Sequence, residues 1–237
     1  MQGLGLDAAK VGVICNYVGG GFGSKFSAGE WGVACAELAR KAGRPVRFML
    51  DRATELKAAG TRPSGFAEVT IAGDAEGRVV AWDSHHWGSA GAEPGIVAIG
   101  QYPYVFEFDN RNRKGTAIAT NTGPNQAWRA PPHPQLCALS HTAIDDLAAK
   151  LEMNSYDVFL KNLDKTERPE VYAEEMKIGA RLIDWKGKWH PRGKGAGQGP
   201  VKQGLGMALH KWGGAPHGGT CLLKVHPDGS VESISGS

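Results

Sequence analysis

Cysteine is sparse. The four residues Cys15, Cys35, Cys137 and Cys221 lie far apart, and no Cys-x-x-Cys pair occurs. That excludes a zinc ribbon, a thioredoxin-type pair and an iron–sulfur ligand set. Scattered cysteines of this kind read as small core or half-buried side chains. No apolar run approaches the ~18 residues that a membrane-spanning helix needs. The first residues, MQGLGLDAAKVG, have no basic segment leading into an apolar one, so no signal peptide is expected there. Charge of one sign is also missing. Lys+Arg 27 against Asp+Glu 24 leaves a formal net charge of +3, without the concentrated basic face that nucleic acid requires.

What the chain has in excess is glycine, 34 of 237 residues, about twice the usual ~7% share. Hydrophobic content of 41% and charged content of 22% are those of a folded protein of one large or two smaller domains. Along the chain, VGVICNYV (11–18) is rich in β-branched residues and stops at GGGFGSK (19–25), so it reads as a strand entering a glycine turn. A helix follows, with Ser27 as its cap, Glu30 three residues on, and Trp31, Ala34, Cys35, Leu38 and Ala39 at helical spacing. Gly43 ends it, and PVRFML (45–50) reads as a second strand closing on Asp51-Arg52.

FAEVTIA and RVVAWDS around residues 73–77 predict a β-hairpin, and CLLKVH and SVESIS around Pro227-Asp228-Gly229 predict another. The strongest helix signal starts at Pro134 and carries the stripe Leu136, Leu139, Ala143, Ile144, Leu147, Ala148 and Leu151. A shorter helix is expected over 155–163. Residues 88–128 show no dominant period, and 187–200 (GKWHPRGKGAGQGP) read as an exposed connector. The fold class expected is α+β, with mixed sheets, hairpins and packed helices.

The glycine run is the sharpest local feature. Successive glycines let backbone approach a ligand closely, and their N–H groups, at the entry to a helix, can face an anion. A tight turn without a ligand fits as well. A P-loop does not, because Ser24 separates Gly23 from Lys25 and Phe26 stands where a hydroxyl should bind magnesium. A dinucleotide fingerprint is a closer fit: Gly19 and Gly21 match, Ser24 replaces the third glycine, and Asp51 could meet a ribose.

Four motifs in one order carry a more specific likeness. VGGGFGSK with its helix and RPVRFMLDR come first. Ala127-Trp128-Arg129-Ala130-Pro131 with Pro134-Gln135 follows. Then come Ile144-Asp145-Asp146-Leu147-Ala148 with Lys161-Asn162-Leu163, and finally Gly204-Leu205-Gly206-Met207-Ala208 before a strand and an Asp-Gly turn. Together they resemble the molybdopterin-binding large subunit of the xanthine dehydrogenase/aldehyde oxidase family of molybdenum hydroxylases, of which this chain reads as an internal portion. The resemblance implies a molybdenum–molybdopterin cofactor, with or without an appended nucleotide. It places Gly20, Gly21, Phe22, Gly23 and Ala130 against that cofactor, and Arg129 beside its metal centre. It divides the chain into a first cofactor-binding region (1–185), a linker (186–200) and the start of a second region (201–237).

The implied reaction is hydroxylation of an aldehyde or an N-heterocycle, with electrons passing to a 2Fe-2S subunit, with or without a flavoprotein. Pro131 stands where the family often has an aromatic residue, which argues against a purine substrate. The family's base is a glutamate in a Gly-Glu motif near the C-terminus. The Gly-Glu pair here, Gly29-Glu30, opens a helix near the other end, so no catalytic residue is assigned and a complementary C-terminal molybdopterin-binding chain is expected as partner. A catalytically inactive remnant or interaction domain is the alternative. Among the other polar residues, His85-His86 reads as a half-exposed strand pair, His133 as a loop residue, and Asp145-Asp146 as solvated.

Overall fold

The computed structural model describes residues 4–17, 19–92, 102–195, 199–213 and 219–236. Helix α1 (Gly29–Ala42) ends as expected, on Gly43 in the left-handed region, whose N–H returns to the Ala39 carbonyl. Its start differs: Ala28 is the N-cap, and Ser27 makes no capping bond. Helix α2 (Arg52–Ala58) is capped by Asp51, whose carboxylate accepts from Thr54 N at 2.7 Å. The two strands expected on either side of α1 are not formed. Residues 11–17 and 45–50 form neither helix nor paired strand, and a bend falls at Asn16.

Strands β1 (Phe66–Gly73) and β2 (Val79–Gly88) make the first hairpin, in register from Phe66 opposite Trp87. Strand β3 (Arg111–Ala117) adds to β2 in parallel, giving a three-stranded sheet of order β1-β2-β3. On β2 the alternation is strict: Trp82, Ser84, His86 and Gly88 are buried on one face. Gly77 in the hairpin turn has φ +88, and a Cβ there would press on the Met153 sulfur at 3.0 Å, so both torsion and space demand glycine.

Helix α3 (His133–Lys150) lies against β1 and buries Leu136, Ala143, Ile144, Leu147 and Ala148, the expected stripe. Helix α4 (Ser155–Lys161) is capped by Asn154, whose side chain accepts from Tyr156 N. A 3-10 turn (Leu163–Lys165) follows it, and then helix α5 (Pro169–Leu182), which buries Tyr172 and Met176. The short α6 (Trp185–Lys188) opens the segment expected as linker. Beyond it Arg192 pairs with both Asp145 and Asp146 on α3, so those carboxylates are exposed but not free. Strands β4 (Thr220–Val225) and β5 (Val231–Gly236) form the second hairpin, paired among the described residues only to each other. The architecture is α+β, with two small sheets and a layer of helices.

The core is rich in aromatics. Tyr102, Pro103, Tyr104, Val105 and Phe106 are buried in one unbroken run and Phe108 follows, joined by Trp82 and Phe159. The stretch in which no sequence period stood out thus contributes the centre of the molecule.

Candidate functional site

The glycine run folds as a tight turn. Ser24 N donates to the Gly21 carbonyl at 3.0 Å, and Ser24 Oγ donates to it at 3.1 Å. Gly20 has φ +69 and Gly23 φ +88. Phe22, between them, also sits in the left-handed region at φ 51, a costly conformation for a bulky residue.

The tryptophan–arginine motif meets this turn, more than a hundred residues on. Arg129 N donates to the Phe22 carbonyl at 2.7 Å. The Phe22 and Trp128 rings lie 5.8 Å apart, and the Arg129 guanidinium carbon stands 5.1 Å from the Phe22 ring centre. A cation over an aromatic face at such an exposed position contributes about 0.5–1 kcal/mol. Gly23 passes against Ala127, with 3.5 Å between its would-be Cβ and the Ala127 backbone. Ala130, at φ 56, turns the chain toward α3, and its carbonyl accepts from His133 N. Gly20, Gly21, Phe22 and Gly23 are thereby brought together with Arg129 and Ala130.

Arg62, which no sequence motif marks, holds this junction. Its guanidinium donates to the carbonyls of Trp128 and Arg129 at 2.7 and 2.9 Å. Gln135 adds a clamp, donating to Pro63 O at 2.9 Å. Partial burial and the neighbouring charge of Arg129 lower the Arg62 pKa from its usual value. Nearby, Thr61 bridges Asn125 in parallel, and Gly60 packs so closely on Gln126 that a Cβ would come within 2.3 Å of its side chain.

The surface so formed is open. Gly19, Gly20, Phe22, Trp128 and Arg129 are exposed, and no side chain approaches the Cβ position of Gly19 within 4 Å. Among the described residues no carboxylate pairs with Arg129, and no group of three His, Cys, Asp or Glu could hold a metal ion. The donors present are a guanidinium and glycine backbone, which suit the oxyanions of a group that brings its own metal ligands.

A scan against protein families matches residues 1–163 to the molybdopterin cofactor-binding domain. The chain belongs to that family. It is 32% identical over 183 residues to indole-3-acetaldehyde oxidase of Zea mays, covering 73% of this chain and 13% of that protein. It is 26% identical over 259 residues to aldehyde oxidase of Homo sapiens, covering 96% and 19%. The aldehyde oxidoreductase of Desulfovibrio desulfuricans shares the fold, with a TM-score of 0.62, 18% identity, and coverage of 91% of this chain and 25% of that one. The molybdopterin-binding chain thus spans less than a fifth of these curated relatives and a quarter of the solved structure. Its family is one of molybdenum-cofactor oxidoreductases, as the four motifs implied.

Other sequence readings are corrected. Asp51 spends its carboxylate on the α2 cap and is no free ribose ligand, so the dinucleotide alternative loses its acid. Glu30 is exposed in the first turn of α1. His133 is not a loop residue but a buried one at the start of α3. Its Nδ1 lies 2.6 Å from Tyr104 Oη, which also meets His210 Nδ1 at 2.8 Å and donates to Lys211 O. This knot ties residues 209–212 to α3, and burial lowers the His133 pKa. His85 is half-buried, but its neighbour His86 is fully inside, stacked on Tyr102. Cys15 and Cys221 are exposed, Cys35 and Cys137 half-buried, and all four are free thiols.

Proposed function

We propose that this chain supplies one wall of the cradle for a molybdenum–molybdopterin cofactor, in an oxidoreductase that hydroxylates an aldehyde or an N-heterocycle. The observation that carries the reading is the meeting of the glycine turn with Arg129 through the Arg129 N to Phe22 O bond. When bound, the cofactor would supply two-electron oxidation chemistry. The residues of this chain would then bind and orient it. The backbone at Gly20, Gly21 and Gly23 would lie against the pterin, Phe22 would limit the space beside the metal, and the Arg129 guanidinium would hold an oxyanion with paired donors. Ala130 keeps that arginine on the open face. A nucleotide appended to the pterin belongs to the same proposal, as do electron transfer to a 2Fe-2S partner, with or without a flavoprotein, and the division into regions 1–185 and 201–237 around a linker at 186–200. General-base work falls to a residue outside this chain.

The test is molybdenum and pterin content after purification together with the polypeptides encoded beside it. The wild type is expected to carry both, and Arg129→Ala to retain at least about tenfold less, the loss of one charge-assisted contact of ~1.5–3 kcal/mol. Molybdenum content unchanged in Arg129→Ala and in Gly20→Val alike would remove the cradle from this face.

A further inference from the structure

From Leu4 to Glu76 no described residue is buried; Gly77 is the first that is, and every buried core residue lies beyond it, with only Val69 and Ile71 of β1 packed against that core from this stretch. The glycine turn therefore stands on a stretch with no interior of its own. Yet this stretch is not polar. Val13, Ile14 and Tyr17 are 83%, 85% and 95% exposed, and Met49 is 79% exposed. Helix α1 between them buries nothing either.

The order is a strand-forming apolar segment, glycine turn, helix, and a second strand-forming apolar segment. Such a unit places its two strands parallel in one sheet, the helix crossing over one face. Strands of parallel sheets are covered on both faces and read as near-continuous apolar runs, as VGVIC and VRFML do. By contrast β1, half covered in a sheet, alternates between half-buried and exposed residues. The return leg already rests on the helix, since the Cys35 thiol donates to the Val46 carbonyl at 3.6 Å. Missing are neighbouring strands and a layer over the second face.

We infer that residues 11–17 and 46–50 form strands only when a partner polypeptide, the remainder of the molybdopterin-binding subunit, lends its own strands to them and covers the face opposite α1. The matched solved chain is about four times as long as the part this chain covers, so polypeptide of that kind exists in the architecture. A second copy of this chain is the rival occupant, since its bare face could pack on this one. The remainder of the subunit is favoured because the matched architecture is about four times as long, and protection in a homodimer would count for the rival. Since the glycine turn follows residue 17 directly, the partner also fixes its position. That last consequence rests on the proposed cofactor role; the strand pairing does not.

The test is hydrogen exchange on the chain alone and on the chain co-expressed with the adjacent reading frame that carries the remaining molybdopterin-binding sequence. Alone, the amides of 11–17 and 46–50 are expected to exchange at nearly unprotected rates. In the complex they should slow by about 100-fold or more, with β1–β3 little changed. Ile14→Asp should leave the thermal midpoint of the isolated chain unaltered and prevent the complex from forming. The inference is overturned by protection already present in the monomeric chain, by protection that arises in a homodimer, by a complex in which these amides stay fast, by the absence of a complex or of such a reading frame, or by a lowered midpoint for Ile14→Asp alone. A complex with the expected protection but no molybdenum would overturn the cofactor proposal and leave this one standing.

Discussion

Arg62 and Arg129 divide one task. Arg129 presents a cation to the open face, while Arg62 fixes the backbone that carries it, through two carbonyl bonds. Two like charges held close are tolerated because each has its own partners, the Phe22 ring for one and carbonyl oxygens for the other. Arg62→Met keeps the aliphatic stem and removes the donors. It is expected to lower the stability of the isolated chain by about 1–3 kcal/mol, and to lower molybdenum retention as Arg129→Ala does. Retention equal to wild type would separate the backbone clamp from the cradle. At this scale the sequence was informative where a motif is local. The residues Gly20 to Gly23 and Arg129-Ala130 could be named because each set is contiguous. Arg62 could not, since its partners lie 66 and 67 residues away and no pattern links them. The Tyr104–His133–His210 knot escaped for the same reason.

Helix α4 and the first hairpin are joined chiefly through Asn162, with Lys161 Nζ donating to the Glu76 carbonyl beside it. Asn162 is fully buried; its Oδ1 accepts from Val79 N, and its Nδ2 donates to the carbonyls of Gly77 and Val158. Asn162→Ala takes this partner from one buried N–H and two buried carbonyls, each unsatisfied group costing about 1–3 kcal/mol. The expected loss is about 2–4 kcal/mol, read as a lower urea midpoint with an unchanged m-value; a loss below about 1 kcal/mol would mean that water replaces the amide. The Lys-Asn pair noticed as a motif thus has a structural meaning on its asparagine. Elements with a strong local signal were legible: the α3 stripe, the Gly43 stop, and both hairpins with their glycine turns. Helix α5 was not, because its buried stripe is narrow. Only Tyr172 and Met176, four apart, are inside, among charged neighbours. Residues 11–17 and 45–50 carry strand-forming side chains but lack a neighbour. Propensity is a weak force until a sheet supplies packing.

The whole molecule turns inward around neutral imidazoles. His86 lies on the core face of β2 with Nε2 2.8 Å from Ser84 Oγ, and His141 lies inside α3 with Nε2 3.2 Å from the Tyr104 carbonyl and Nδ1 3.2 Å from the Cys137 thiol. Burial above all pushes each down to about 4 from 6.5. An unfolded chain has no such penalty, so between pH 6.5 and 4 it binds protons that the folded chain refuses. Stability must then fall as pH falls through this window, by up to roughly 3 kcal/mol for each histidine, and it is flat in this respect above about pH 7. The carboxylate Asp51, whose pKa is lowered by its Thr54 bonds, acts in the same direction only further down, below its usual 3.8. Urea midpoints measured from pH 8 to 4 should show the decline starting near 6.5, well before the carboxylates contribute. In His141→Gln, which keeps a donor for the Tyr104 carbonyl but cannot titrate, the slope should diminish by about one proton. An undiminished slope would mean that His141 charges inside the folded core, and that the Tyr104 knot holds an imidazolium instead of a neutral ring.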